Sequence, residues 1–246
     1  MKNVRFINAN TLKIIAAILM VVDHVGVMFF PGVMIYRYLG RLSMPIFAFM
    51  ISEGCRYTKN KTKYFLQIFI LAALCQIVYA IVSPANLYFS ILCTFSLSIL
   101  VVYALNHLKK CMLESGVSLK KKIVAITIFI LVVALVSVIN HLFVVDYGFW
   151  GCMLPAFASL FDFRGINNQN VQKLDNLTIR VLTFGVGLLV RVLTLKSFSF
   201  VGYSLLSIIL LLAYNGKRGK YKMKNFFYIF YPAHLVVLEG ILILTT

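Results

Sequence analysis

A chain of 246 residues that is 61% hydrophobic and 13% charged has too much apolar surface for a soluble globular domain and reads as a polytopic membrane protein. Its 24 basic residues against 7 acidic ones, a net charge of +17, would suit a nucleic-acid binder. The cations, however, sit in short loops between apolar runs, where they serve as topology signals and as contacts with anionic lipid headgroups, and no nucleic-acid partner is expected.

About nine spans can be drawn, each needing roughly 20 mostly apolar residues. In chain order they cover roughly 11–30, 33–52, 64–82, 87–106, 123–142, 147–161, 177–195, 198–214 and 226–244, the sixth being the shortest. The expected fold class is therefore an all-α transmembrane helix bundle, a single integral domain over 1–246, because loops such as 107–122 and 162–176 hold too few residues to bury a core of their own. Basic residues fall on alternate connections: Lys2, Arg5 and Lys13; Arg56 to Lys63; Lys109 to Lys122; Arg164 and Lys173; and Lys217 to Lys224. The connections around Pro31, Pro84, Val144 and Lys196 are nearly free of positive charge. The positive-inside rule then puts the N-terminus in the cytoplasm and the C-terminus outside. The first apolar run is of full spanning length, contains Asp23-His24 and lacks a small-residue cleavage site, so it reads as a retained span. Five cysteines with no Cys-x-x-Cys spacing suggest neither a disulfide framework nor a zinc site, and no metal is expected.

The polar residues inside the spans are the informative ones. On the first span, Lys13 and His24 stand eleven residues apart, nearly on one face at about 100° per residue and roughly 16 Å apart along the axis. An aspartate at the centre of a span costs on the order of 3 kcal/mol, so Asp23-His24 reads by default as a functional site. The second span carries Arg37 and Arg41 on one face, and a hairpin of the first two spans would bring both to Asp23 and His24 in the outer half of the membrane. Arg37 either joins them or snorkels to the interface. Arg41 pairs best with Asp23, and such a pair would orient His24 or hold an anionic group of a ligand. Glu53 reads as an interfacial carboxylate balancing Arg56, and otherwise as part of a binding site. Gln67, Gln76, Thr94, Ser96 and Ser98 are accounted for by hydrogen bonds between helices. Asp146, with no cation in its own loop, faces Arg191 or a substrate. On the last span Tyr228, Tyr231 and His234 recur every three residues, and Pro232 removes one helical hydrogen bond, leaving the Tyr228 carbonyl open to another partner.

Several blocks of this sequence resemble the TraX family. They are Leu12 to Ala16 with Met20 and Asp23-His24; Gly40-Arg41-Leu42 with Pro45 to Phe49 and Glu53-Gly54; Asp146-Tyr147-Gly148; Asn215 to Gly219; and Tyr228 to Leu235. The resemblance covers most of the chain in register, while 85–140 and 165–205 are similar only in hydrophobic character. It implies a multi-pass protein of the bacterial cytoplasmic membrane, whose founding family member N-acetylates a conjugative pilin subunit. The spacing from Lys13 to His24 is also similar to the basic-x10-His signature of the membrane acyltransferases of family three, which modify extracytoplasmic sugars with acyl groups from coenzyme A.

Together these resemblances imply an acyltransferase that takes an acetyl or other acyl group from acyl-CoA as co-substrate and passes it to an amine or hydroxyl of an extracytoplasmic protein or glycan. His24 would act as general base or be acylated itself, Arg41 would stabilise the oxyanion, and Asp23 would position Arg41 or stabilise an imidazolium. Lys13 and the basic loops would meet the phosphates of acyl-CoA on the cytoplasmic side, while Tyr231 and His234 line the cavity and Arg37, Glu53, Asp146 and Tyr228 complete the binding residues. Sequence physics alone leaves two other classes open, a proton-coupled transporter and a non-enzymatic pilus or conjugation assembly factor.

Overall fold

A computed structural model describes residues 5–82, 88–196 and 198–245. Lys2 and the connection around Pro84 lie outside them. The helices are α1 Ala9–Met28, α2 Met34–Gly40, α3 Ser43–Tyr57, α4 Lys61–Val82, α5 Ile91–Leu113, α6 Leu119–Leu142, α7 Gly148–Ser159, the single-turn α8 Gln169–Gln172, α9 Leu177–Leu195, α10 Ser207–Leu212 and α11 Lys224–Thr245. A 3-10 segment, Val201–Leu206, leads into α10. Among the described residues, extended pairing is confined to a two-residue parallel match of β1 Tyr88–Phe89 with β2 Val144–Val145 and a bridge between Ile7 and Tyr214.

Among the described residues five helices are long and apolar enough to cross a membrane: α1, α5, α6, α9 and the Phe226–Leu244 stretch of α11. Helix α6 shows what its surroundings must be. It buries only Ala125 and Val136 and exposes Ile123, Ile130, Leu131, Leu135, Val138 and Leu142, a continuous apolar patch that water would penalise and a bilayer would not.

The stretch expected to form one helix over 33–52 is two, α2 and α3, separated by a turn at Arg41 and Leu42. Gly40 ends the first, and Pro45 falls in the first turn of the second, where its missing N–H removes no helical bond. The sixth stretch is the 12-residue α7, about 18 Å long, which is shorter than a hydrocarbon core. The eighth is reduced to the 3-10 segment and α10.

The chain groups into two compact units, one of Met1–Met50 with Leu188–Thr246 and the other of Ile51–Gly187. In the first unit the start of α1 is sewn to the basic loop that precedes α11. Ala9 and Asn10 donate their amides to the carbonyls of Lys217 at 2.8 Å and Arg218 at 3.2 Å, and the Asn10 side-chain amide donates to the Tyr221 carbonyl at 2.7 Å. Helices α1 and α11 then run parallel, with Lys13 5.8 Å from the Phe227 ring and His24 5.2 Å from the His234 ring. Helix α2 packs back on α1 at two glycines. A Cβ on Gly26 would lie 2.3 Å from Tyr36 Cβ, and one on Gly40 would lie 2.2 Å from Asp23 Cβ, so the backbones approach as only glycine allows. The Ser43 hydroxyl donates to the Ala16 carbonyl at 2.7 Å and fixes the start of α3 against α1.

In the second unit α5 is the central helix, packed by α4, α6 and α7. Ser96 and Ser98 donate to the carbonyls one turn back in their own helix, at 2.9 and 2.8 Å. These two therefore satisfy themselves within α5 instead of bonding between helices as expected, whereas Thr94 reaches out to the Asp146 carbonyl at 2.5 Å. The connections at 56–63, 109–118 and 160–176 meet at one end of this unit: Tyr103 donates to the Lys61 carbonyl, Asn168 to the Leu113 carbonyl, and Arg56 pairs with Asp162. Cys55, Cys75, Cys93, Cys111 and Cys152 are free thiols.

Candidate functional site

The first unit holds most of the residues singled out in the sequence. Asp23 and His24 are neighbours on α1 and point about 100° apart, so they serve different helices. Asp23 turns to α2, where its carboxylate accepts from Arg37 Nη1 at 3.3 Å and from Arg41 Nη2 at 3.4 and 3.5 Å. Gly40 leaves the room for this, since any side chain there would occupy the carboxylate's position. All three distances exceed the ordinary length of a charge-assisted hydrogen bond, and one carboxylate serves two guanidinium groups, so the cluster keeps a net positive charge. Phe200 lies under both arginines, with its ring centre 4.4 Å from the Arg41 guanidinium carbon and 5.6 Å from that of Arg37. Tyr38 and Tyr203 stack at 4.3 Å beside them.

His24 turns to α11. Its Nδ1 lies 2.7 Å from the Met20 carbonyl, and His234 repeats the arrangement with Nδ1 3.0 Å from the Phe230 carbonyl. A carbonyl only accepts, so each Nδ1 carries the hydrogen, and in the neutral form of either ring the lone pair is at Nε2. The two rings meet edge to face at 5.2 Å and 83°. Phe230 stacks on His234 at 5.4 Å and Tyr231 meets it edge-on at 5.5 Å. His234 is buried, and its Nε2 has no hydrogen-bond partner among the described residues. A buried acceptor without a donor costs free energy unless something supplies one. The pair of imidazoles is thus built to receive N–H or O–H groups. Tyr228 is half-buried on the same helix, one turn before Tyr231.

The other two candidates lie in the second unit and do different work. Glu53 does not balance Arg56: it accepts from Arg180 Nη2 at 2.5 Å, with both side chains buried, and Arg180 Nε donates to the Ala158 carbonyl at 3.3 Å. Arg56 instead pairs with Asp162 and, at 2.9 Å, with Asp175. Burial opposes the charge on Arg56, but Asp175 and Asp162 outweigh it and hold the guanidinium above its ordinary pKa. Lys109 Nζ donates to the carbonyls of Ser159 and, at 2.6 Å, Asp162. Asp175 also accepts the Phe163 amide at 3.1 Å. Asp146 is anchored through its backbone, its amide donating to the Phe89 carbonyl at 2.9 Å. It belongs to the second unit and Arg191 to the first.

Phe200, Tyr203, Arg180, Asp162 and Asp175 were not anticipated. Arg180 carries a visible signal, a cation that shares an apolar helix with Arg191. Phe200 carried none, because an aromatic residue in an apolar run looks the same whether it meets lipid or a guanidinium.

Helices of this length and apolarity define a helical membrane protein, and within its first unit a cluster of Asp23, Arg37 and Arg41 between α1 and α2 adjoins a histidine pair between α1 and α11. The model of the TraX protein family matches residues 8–242, and the chain belongs to that family. It is also 34% identical over 80 residues to an uncharacterized protein of Rickettsia prowazekii (strain Madrid E), a match spanning 32% of this chain and 32% of that relative's length. No solved structure matches the chain at a significant level.

Proposed function

We propose that this protein is a membrane-embedded acyltransferase that moves an acetyl or related acyl group from cytoplasmic acyl-CoA to an amine or hydroxyl of an extracytoplasmic protein or glycan. The observation that carries the reading is the imidazole pair, two half-buried to buried rings with Nδ1 anchored to their own helices and, at His234, a buried Nε2 without a partner among the described residues. In this reading His24 Nε2 takes the proton of the acceptor as its nitrogen or oxygen attacks the thioester carbon. The Arg41 guanidinium, held by Asp23 and the Phe200 face, meets the oxyanion that develops, and the tetrahedral adduct then collapses to expel the coenzyme A thiolate, which takes the proton back. His234 Nε2 accepts from the bound acceptor, and Arg37 adds charge to the same pocket.

The reading places the protein in the cytoplasmic membrane of a bacterium, its about nine apolar stretches arranged with the N-terminus inside. Two observations support this sidedness. The start of α1 and the basic loop before α11 lie together in one unit, and the basic connections of the other unit also lie together, as alternating charge requires. Families of this kind that act on pilin subunits make a secreted protein N-terminus a natural acceptor class.

Purified protein incubated with labelled acetyl-CoA and membrane or secreted extracts tests the reading. A labelled macromolecule that disappears with His24→Ala is the expected result. Substrate flux without any need for acyl-CoA would replace it with a transporter, and biological activity that survives His24→Ala would replace it with an assembly factor.

A further inference from the structure

Within the first unit, the loop from Asn215 to Lys222 carries a charge that nothing in that unit balances. Lys217, Arg218, Lys220 and Lys222 are exposed and form no ion pair among the described residues. The unit's two carboxylates, Asp23 and Glu239, are far along α1 and α11 from this end, and Asp23 is already shared by two arginines. The loop is not a loose tail. Its carbonyls at Lys217 and Arg218 take the first amides of α1, and Gly219, at φ +98°, passes so close to Asn8 that a Cβ would lie 2.6 Å from its side-chain oxygen. Thr11 and Leu12 give their amides to Asn8. The helix end is therefore fully capped, and any anion at this place must be held by the loop's side chains.

The same stitching fixes a distance. From Ala9 and Asn10, where the loop is attached, α1 rises about 5 Å to Lys13, within reach of a long basic side chain, and roughly 16 Å more to His24. The pantetheine arm of coenzyme A, about five residue-equivalents of chain, extends roughly 17 Å. Helix α11 lies alongside the whole path, with Phe227 beside Lys13 and His234 beside His24.

We propose that the Asn215–Lys222 loop is the docking site for the phosphates of acyl-CoA, and that α1 is the ruler that delivers the thioester to His24. This rests on the acyl-CoA reading above and adds to it a site and a donor selectivity: a thioester on a phosphate-bearing arm of this length, and not a short acyl donor such as acetyl phosphate. The chemical alternative is an anionic lipid headgroup, which would need no attachment to the helix that carries His24.

The test uses the full chain in nanodiscs of zwitterionic phosphatidylcholine and measures equilibrium binding of coenzyme A and of pantetheine, which lacks the phosphates. Wild-type protein is expected to bind coenzyme A about tenfold or more tightly than pantetheine, with a difference that shrinks as salt rises. The triple variant Lys217→Ser, Arg218→Ser, Lys220→Ser is expected to lose that difference while its pantetheine binding stays the same. Lys220→Gln alone, at an exposed position that does not threaten the fold, is to show a smaller loss in the same direction. A triple variant that binds coenzyme A like wild type overturns the docking site, as does one whose only change is weaker retention of phosphatidylglycerol. Wild-type protein that neither binds coenzyme A nor transfers acetyl groups overturns the acyl-CoA reading itself, and the site with it.

Discussion

The two charged clusters of this protein are built on opposite plans. In the second unit Glu53 faces Arg180, Asp162 and Asp175 face Arg56, and Lys109 donates to the carbonyls of Ser159 and Asp162, with short contacts between buried or half-buried side chains. In the first unit one carboxylate, Asp23, serves Arg37 and Arg41 at 3.3 to 3.5 Å, beside a pair of imidazoles of which His234 has a buried Nε2 with no hydrogen-bond partner among the described residues. A cluster whose cations each meet a carboxylate or carbonyls has little net charge to offer a ligand, and its removal is felt as stability. An unsaturated one retains positive charge and open acceptors, and its removal is felt as chemistry. On the function proposed above, that contrast gives Glu53 a structural part and Asp23, His24 and Arg41 the chemical one.

The largest effect is expected at His24. His24→Ala should lower acyl transfer by about 10²–10⁴-fold while insertion and thermal melting stay at the wild-type level, as measured by labelled-acetyl transfer beside a melting curve. Breaking the other cluster should do the reverse. Arg180→Ala leaves Glu53 charged and buried without its partner, and a loss of about 3–5 kcal/mol is expected in denaturation, most of it recovered when Glu53→Leu and Arg180→Leu are combined. Arg41→Ala should reduce the turnover number by about 10²–10³-fold with little change in melting, and Arg41→Lys should restore only part of it, because a lysine cannot reproduce the planar contact with Phe200. Gly40→Ala pushes a methyl group into the Asp23 side chain. It should cost about 1–3 kcal/mol and also weaken activity, a mixed outcome that locates the residue where packing and site meet.

Much of the functional site was legible because its residues are rare in their surroundings. Asp23-His24 inside a full-length apolar run, and Arg41 preceded by a glycine, stand out against lipid-compatible neighbours, and their helical spacing told which would share a face. The same spacing anticipated that Lys13 and His24 look in one direction, and both do meet α11. Partners distant in sequence were not legible. Glu53 was matched to Arg56, three residues on, when its partner Arg180 is 127 residues away. Nearness along the chain is a weak guide when any of several cations can fold back to the same end. The division of the second stretch into α2 and α3 was hidden for another reason: hydropathy rises and falls identically for one helix or two, and only Gly40 and Pro45 marked the break. The eighth stretch shows the same limit, since its apolar composition does not distinguish an α-helix from the 3-10 segment found there.

The most direct test of the account separates donor and acceptor by a bilayer. With the protein reconstituted in sealed vesicles, labelled acetyl-CoA is supplied only on the side of the Lys217 loop and an amine-bearing peptide or glycan acceptor is trapped on the other. The account predicts label on the trapped acceptor and none when His24 is replaced. Label that appears only on acceptors placed with the acetyl-CoA, or that appears equally without His24, would contradict it.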